Sequence, residues 1–281
     1  MPGKPDQIMR PKTIEEAGAL LEKMGDEAGL LWLGARVEPP ETWARASMID
    51  LSDLNLDYIE VDDQTVVIGG GTPLQRLVEH EALDAAFGGL IGAAARRLAH
   101  YGLRNLASVG GAVSARQGPP ELTLALLSLG AEVVFAPGQD SLSVEEFRSE
   151  SEPARHGVLT QVRIARLPAA SKGWGLEWLA RSPMDQALAA ACAVVEFEDD
   201  RVSRARTAVA GVGWPPSLVD DVESHLEESG PVDWSTEMVH KAVLEAVEPV
   251  AEFRASGEYQ AEMMARLAVR AVAAALKKAG A

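Results

Sequence analysis

The sequence predicts an α+β fold in more than one module, and three observations carry that reading. Between Gly29 and Ile68, short apolar runs follow one another with only one amphipathic helix before them, which argues against strict strand–helix alternation. A break at Pro168-Ala169-Ala170-Ser171-Lys172-Gly173 ends the first module. Beyond it, Ala189–Glu198 and Val202–Val212 flank Asp199-Asp200, a hairpin signal, and three helical patterns follow.

In chain order, Thr13-Ile14-Glu15-Glu16 reads as a capping box, and Ile14, Ala17, Leu20, Leu21 and Met24 then fall on one helical face. Gly29–Leu33 reads as a buried strand and Pro39-Pro40 as a loop, with strands at Ser47–Leu51, Tyr58–Val61 and Thr65–Ile68. Gly69-Gly70-Gly71-Thr72-Pro73 breaks the last strand. Thr72 is the expected N-cap and Pro73 the first residue of a helix to His80 that buries Leu74, Leu77 and Val78. A second helix is expected over Ile91–His100, then a Ser108-Val109-Gly110-Gly111 turn, a helix Glu121–Leu129 opened by Pro119-Pro120, and strands Ala131–Phe135 and Gly157–Leu167. After the break come a strand Trp174–Ala180, the hairpin, and helices Ser217–Glu227, Thr236–Val247 and Ser256–Lys278. The last carries an apolar stripe of Met264, Leu267, Ala268, Val272 and Leu276.

The bulk properties exclude several function classes. The 281 residues are 47% apolar and 24% charged, ordinary for a globular chain with a sizeable core. A formal net charge of −16 argues against non-specific binding to nucleic acid or to an anionic membrane. No window approaches the roughly 20 apolar residues of a membrane span, and Met1–Asp6 carries no signal-peptide core, so a cytoplasmic location is the default expectation. The single cysteine, Cys192, sits in an apolar run and reads as a buried structural thiol. It allows no internal disulfide and no cysteine-held iron–sulfur cluster, so electrons handled here would need another carrier.

Chemistry carried by side chains is hard to find. His80, His100, His156, His225 and His240 are scattered, with no metal-ligand spacing. There is no nucleophile elbow and no Walker loop. The expectation is no catalytic residue and no metal in this chain, leaving a bound cofactor or no chemistry at all.

Glycine marks three places, Leu33-Gly34-Ala35, Gly69-Gly70-Gly71 and Gly110-Gly111. Glycine lets backbone approach an anion closely, although Gly69–Gly71 is explained well enough as a strand-to-helix turn. The order of the pieces is more specific: the capped helix, the strand into Gly34, Met48-Ile49-Asp50-Leu51, Gly-Gly-Gly-Thr-Pro, Leu103-Arg104-Asn105, Ser108-Val109-Gly110-Gly111 and Leu126–Val133. Over nearly its whole length the chain resembles the flavoprotein (medium) subunit of the molybdenum hydroxylases, the xanthine and carbon monoxide dehydrogenase group. Arg181-Ser182-Pro183-Met184-Asp185 and Ser256-Gly257-Glu258-Tyr259-Gln260 look like parts of that family's C-terminal domain.

The resemblance implies a two-part FAD-binding domain of the PCMH/vanillyl-alcohol-oxidase-like type, with subdomains at 1–55 and 56–170. A C-terminal α+β domain, an antiparallel sheet with helices, would span 171–281. It implies FAD clamped by two loops, with Gly34, Ala35 and Arg36 on the first and Ser108, Val109, Gly110 and Gly111 on the second. Arg104 and Asn105 match the Arg-Asn before the second loop, and Glu121 stands where an aspartate helps hold the cofactor.

Partners would be a molybdopterin-binding large subunit and a [2Fe-2S] small subunit, with a homodimer of such heterotrimers admitted. Electrons would leave to NAD, oxygen or a quinone.

Two departures matter. The first loop is Trp32-Leu33-Gly34-Ala35-Arg36, where the family has A-G-G-T, and Ala112 replaces an amide side chain in the second. Arg36 could pair with a phosphate directly. Alternatively Trp32 and Leu33 fill the groove, and the chain is a degenerate, flavin-free scaffold subunit. A third reading has another nucleotide there, its base stacked on Trp32.

Overall fold

The structure is a computed structural model and describes residues 7–31, 47–98, 100–115, 119–138, 140–149, 156–166, 172–182, 185–198 and 201–279. Its strands form three sheets.

The first sheet is parallel, in the order β1 (Gln7–Met9), β3 (Ser47–Asp50), β2 (Ala28–Leu31). Helix α1 (Ile14–Met24) crosses between β1 and β2, capped as expected: the Thr13 hydroxyl accepts from the Glu16 amide at 3.1 Å. The Glu16 carboxylate reaches back to the Lys12 amide at 2.7 Å. Strand β1 escapes the sequence reading because three residues carry no usable period; its pairing with β3 is supplied by chain 40 residues away.

The second sheet is antiparallel, in the order β4 (Ile59–Val61), β5 (Thr65–Gly69), β8 (Val158–Ala165), β6 (Glu132–Ala136), β7 (Ser141–Ser143). Helices α2 (Leu74–Glu79), α3 (Glu81–Ala86), α4 (Leu90–Arg96), α5 (Tyr101–Leu106), α6 (Val109–Ser114) and α7 (Glu121–Ser128) connect β5 to β6, and α8 (Val144–Ser149) follows β7.

Three expectations need correction here. Thr72 is not the cap of α2. Pro73 holds the N-cap position, and the Thr72 hydroxyl instead donates to the Tyr58 carbonyl at 2.9 Å. The helix expected over Ile91–His100 stops at Arg96, and His100 starts a new one by accepting from the Leu103 amide. The Ser108–Gly111 segment is the start of a helix, with Ser108 as its N-cap.

The third sheet is antiparallel, in the order β12 (Trp214–Leu218), β11 (Arg201–Gly211), β10 (Ala189–Glu198), β9 (Lys172–Leu179). It is followed by α9 (Asp220–Asp233), α10 (Thr236–Ala246) and α11 (Gly257–Lys278). The helix expected from Ser217 starts only at Asp220, because Trp214–Leu218 is a strand. This strand tolerates Pro215 and Pro216 because β12 lies at the sheet edge, where a missing N–H costs no ladder bond.

Strand β10 joins two cores, because alternate residues of a strand face opposite sides. Ala189, Ala191, Ala193 and Val195 pack with Met264, Ala268, Val272 and Leu276 of α11, the stripe expected from the sequence. Ala190, Cys192 and Val194 pack into the core shared by the first two sheets. Cys192 is fully buried, and that burial pushes its thiol up to about 12. Helix α11 lies directly on β9, since a Cβ at Gly175 would come 2.1 Å from the Ala271 carbonyl oxygen. Among the described residues no helix is long and apolar enough to cross a membrane.

Candidate cofactor site

Two glycine turns are stitched together by backbone hydrogen bonds. In the first, the Gly69, Gly70 and Gly71 amides donate to the carbonyls of Tyr58 (2.9 Å), Thr160 (2.7 Å) and Leu56 (3.0 Å). A Cβ on Gly69 would come within 2.1 Å of the Leu56 oxygen, so this turn is glycine because the Leu56 backbone lies against it. In the second, Val109 donates to the Thr72 carbonyl at 2.9 Å and Gly110 to the Gly70 carbonyl at 2.7 Å. The Gly111 amide is taken by the Ser108 hydroxyl at 3.2 Å. The amides of Val109, Gly110 and Gly111 are therefore committed within the fold. What the segment provides is a fixed seat for α6 against the end of β5, with Gly111 and Ala112 half-buried.

The other expected residues are spread out. The Arg104 Nε donates to Gln75 Oε1 at 2.8 Å, and Gln75 in turn donates to Glu79 at 2.6 Å, so Arg104 braces α5 against α2. Asn105 is exposed and its side-chain amide donates to the Tyr101 carbonyl of its own helix at 2.9 Å. Glu121 opens α7 but is buried, and its carboxylate meets Arg97 at 3.2 Å. Desolvation holds the Glu121 carboxyl above the usual range, partly offset by its own backbone amide and by Arg97. The Arg97 guanidinium lies 4.2 Å from the ring centroid of Trp178 on β9. Gly34, Ala35 and Arg36, with Trp32 and Leu33, lie outside the described residues.

A cleft of about 290 Å³ opens beside α6, floored by Ala112, Ala115 and Pro120 and roofed by the turn between β11 and β12. Arg148 and Arg254 both line it. Arg148 donates to the carbonyls of Val113 and Ala115 at the end of α6. Arg254 donates to Gln186 Oε1 at 3.3 Å, while its Nε is buried with no hydrogen-bond partner among the described residues. The buried Gln260 holds this roof, accepting from the Gly213 amide at 2.7 Å and donating to the Val250 and Ala255 carbonyls at 3.0 and 3.1 Å. The sequence reading passed over Arg148 and Arg254. The one signal pointing there was the Tyr259-Gln260 opening of α11.

Residues 4–166 match the family described as the FAD binding domain in molybdopterin dehydrogenase. The chain belongs to that family. Residues 175–275 match the CO dehydrogenase flavoprotein C-terminal domain.

Among characterised relatives, the alpha subunit of the 6-hydroxypseudooxynicotine dehydrogenase complex of Paenarthrobacter nicotinovorans is 26% identical, over 95% of this chain and 93% of that one. The carbon monoxide dehydrogenase medium chain of Hydrogenophaga pseudoflava is also 26% identical, over 94% and 95%. In fold, the chain superposes on a structure of the Hydrogenophaga pseudoflava carbon monoxide dehydrogenase lacking the Mo-pyranopterin moiety, with a TM-score of 0.83 at 24% identity, covering 100% of both chains. The α+β architecture, a FAD-binding domain followed by a C-terminal domain, is thus that of the carbon monoxide dehydrogenase medium subunit.

The residues of the cleft suit the cofactor of this molybdopterin dehydrogenase family. Small side chains at Ala112 and Ala115 keep the floor of the cleft clear, and two guanidinium-bearing residues line it in a chain of net charge −16. FAD carries a dianionic pyrophosphate and hydrogen-bond acceptors on its ring, and the Arg254 Nε is a donor with no acceptor among the described residues. Among the described residues no group of three or more His, Cys, Asp or Glu could hold a metal ion.

Proposed function

We propose that this chain is the FAD-holding, electron-transferring medium subunit of a molybdenum hydroxylase complex. The observation that carries it is the cleft beside α6, lined both by the part of the chain that matches the FAD-binding family and by the part that matches the flavoprotein C-terminal domain, with the buried Arg254 Nε lacking an acceptor among the described residues. When bound, the isoalloxazine supplies the one- and two-electron chemistry. The protein's part is to hold and to bias. The stitched turns set α6 rigidly, Arg148 closes its last carbonyls, and Arg254 would bring positive charge to the bound cofactor.

Relatives named as medium chains or as subunits of dehydrogenase complexes support placing this chain in such an assembly. A molybdopterin-binding large subunit and an iron–sulfur small subunit would be its partners, the latter delivering electrons. FAD would be held by Gly34, Ala35 and Arg36 on one side and by the Ser108–Gly111 segment, Arg104, Asn105 and Glu121 on the other. For this second group the hydrogen bonds within the fold favour a supporting role over direct contact.

The test is a visible absorption spectrum of the purified full chain, before and after addition of FAD and gel filtration. A retained flavin band is the expected result. A folded but colourless protein that does not keep added FAD would overturn the proposal in favour of a scaffold subunit. In that event Trp32→Ala, Leu33→Gly and Ala35→Thr together would restore uptake if the first loop is the block.

A further inference from the structure

A second cavity lies away from the flavin cleft and shares no lining residue with it. It measures about 200 Å³ and sits where the turn between α3 and α4 meets the start of β9 and the end of α11. Phe87, Leu90 and Val194 give it apolar walls, and Lys172, Trp174 and Lys278 complete it. The two lysines are anchored differently. Lys172 Nζ donates to the Ala86 carbonyl at 2.7 Å, whereas Lys278 Nζ stands 3.0 Å from the centroid of the Trp174 ring and has no ion pair among the described residues. Trp174 is itself fixed by donating from Nε1 to the Gly88 carbonyl at 2.7 Å.

The carboxylates closest in charge to these lysines have partners of their own. Glu177 is paired with Arg270 at 2.7 Å and Glu196 with Arg204 at 3.5 Å. The pocket thus combines apolar walls with two ammonium groups, of which that of Lys278 has no ion pair among the described residues. Partial desolvation lowers the pKa of both lysines, Lys172 half-buried in the pocket wall and Lys278 on its exposed rim.

We propose that this cavity binds a small monocarboxylate with an apolar body, a one-ring acid of the benzoate class. The size argument is direct: an apolar cavity of roughly 150 Å³ accepts benzene, so this one has room for a ring and a carboxylate. The ring lies against Phe87, Leu90 and Val194, and the carboxylate pairs with Lys278 at the Trp174 side. The occupant touches the α3–α4 turn of the FAD-binding domain and both β9 and α11 of the C-terminal domain. It therefore links the two, and its binding raises the stability of the whole chain by mass action. The site is independent of whether FAD is held.

The test uses the full chain with benzoate as probe and benzamide as its neutral isostere, read by isothermal titration and by tryptophan fluorescence. Benzoate is expected to bind saturably, at least tenfold tighter than benzamide. Lys278→Met should weaken benzoate at least tenfold while leaving benzamide unchanged, and Lys278→Arg should retain benzoate. Absence of saturable benzoate binding, equal affinity for benzoate and benzamide, or undiminished benzoate binding by a folded Lys278→Met chain would each overturn the proposal. The wild-type comparison decides by itself should the Met variant fail to fold.

Discussion

The Arg97 guanidinium meets the Glu121 carboxylate at 3.2 Å, with the two side chains only 12% and 1% exposed. The resemblance placed an acidic residue at position 121 to serve the cofactor. In the fold its charge is spent on tying α7 to α4, beneath the Trp178 ring of β9. One carboxylate oxygen, Oε2, has no hydrogen-bond partner among the described residues, so its own backbone amide and Arg97 together compensate the buried charge. Arg97→Met should therefore cost about 3–5 kcal/mol of stability, the penalty of stranding a buried charge. The double variant Arg97→Met, Glu121→Met should recover most of that loss in urea denaturation. A double variant no more stable than the single would mean that the arginine acts by packing on Trp178 rather than by charge.

The two stitched turns make a sharper prediction about backbone. Gly69→Ala would drive a methyl group to within 2.1 Å of the Leu56 oxygen, an atom that cannot swing away. A loss of about 3 kcal/mol is expected, at the upper end of overpacking, because β5 and the chain before β4 must separate. Gly102→Ala is the control. That glycine lies on the exposed face of α5, where the nearest atoms to a new Cβ are those of the His100 ring at 3.4 Å. There the substitution should raise stability by about 0.5 kcal/mol through helix propensity. Thermal unfolding of both variants checks the pair, and similar effects at the two sites would refute the steric account.

How far the sequence could be read follows from which signals are local. Thr13 with Glu16, the β10–β11 hairpin and the stripe of α11 all rest on residues within a few positions of each other, and all three stand in the fold. The sequence suggests a turn where α6 stands, because Gly110 and Gly111 depress helix propensity. Its stability comes from the Ser108 cap and from bonds to Thr72 and Gly70, some 37 to 40 residues earlier. Helices α3 and α5 start at His80 and His100, whose ring nitrogens accept like a cap although histidine is outside the usual capping set. The cleft was the least legible part. Arg148 and Arg254 come from distant segments, and neither lies in a motif that spacing could flag.

Glu223, half-buried on α9, sets a pH dependence. Burial raises its carboxyl to about 7; the neighbouring charges Asp220 and Glu227 add to this and Arg206 opposes it. In the unfolded chain the same group ionises near pH 4.5. Between those two values the unfolded state has released the proton and the folded state still holds it, so stability falls as pH rises through this window. Above it the penalty is constant. Glu223→Gln removes the ionisation, and its gain over the wild type should therefore grow from pH 4.5 to about pH 7 and then level off. Chemical denaturation at a series of pH values measures it. A gain that does not change with pH would show that Glu223 is already ionised in the fold at low pH.

Arg254 separates charge from geometry in the flavin proposal. Its terminal nitrogen is engaged by Gln186, whereas its buried Nε has no acceptor among the described residues. A ligand that supplies one gains a charge-assisted bond that costs the protein nothing to orient. Arg254→Met should weaken FAD about tenfold, roughly 1.4 kcal/mol. Arg254→Lys is the informative change, since it keeps the positive charge and loses the planar Nε donor. If that donor is what the cofactor uses, the lysine variant will bind FAD as weakly as the methionine variant. If long-range charge alone matters, it will bind as the wild type does, and both will lose affinity in added salt more steeply than the methionine variant. Flavin fluorescence quenching on titration of the three proteins distinguishes the two, provided their circular dichroism spectra coincide.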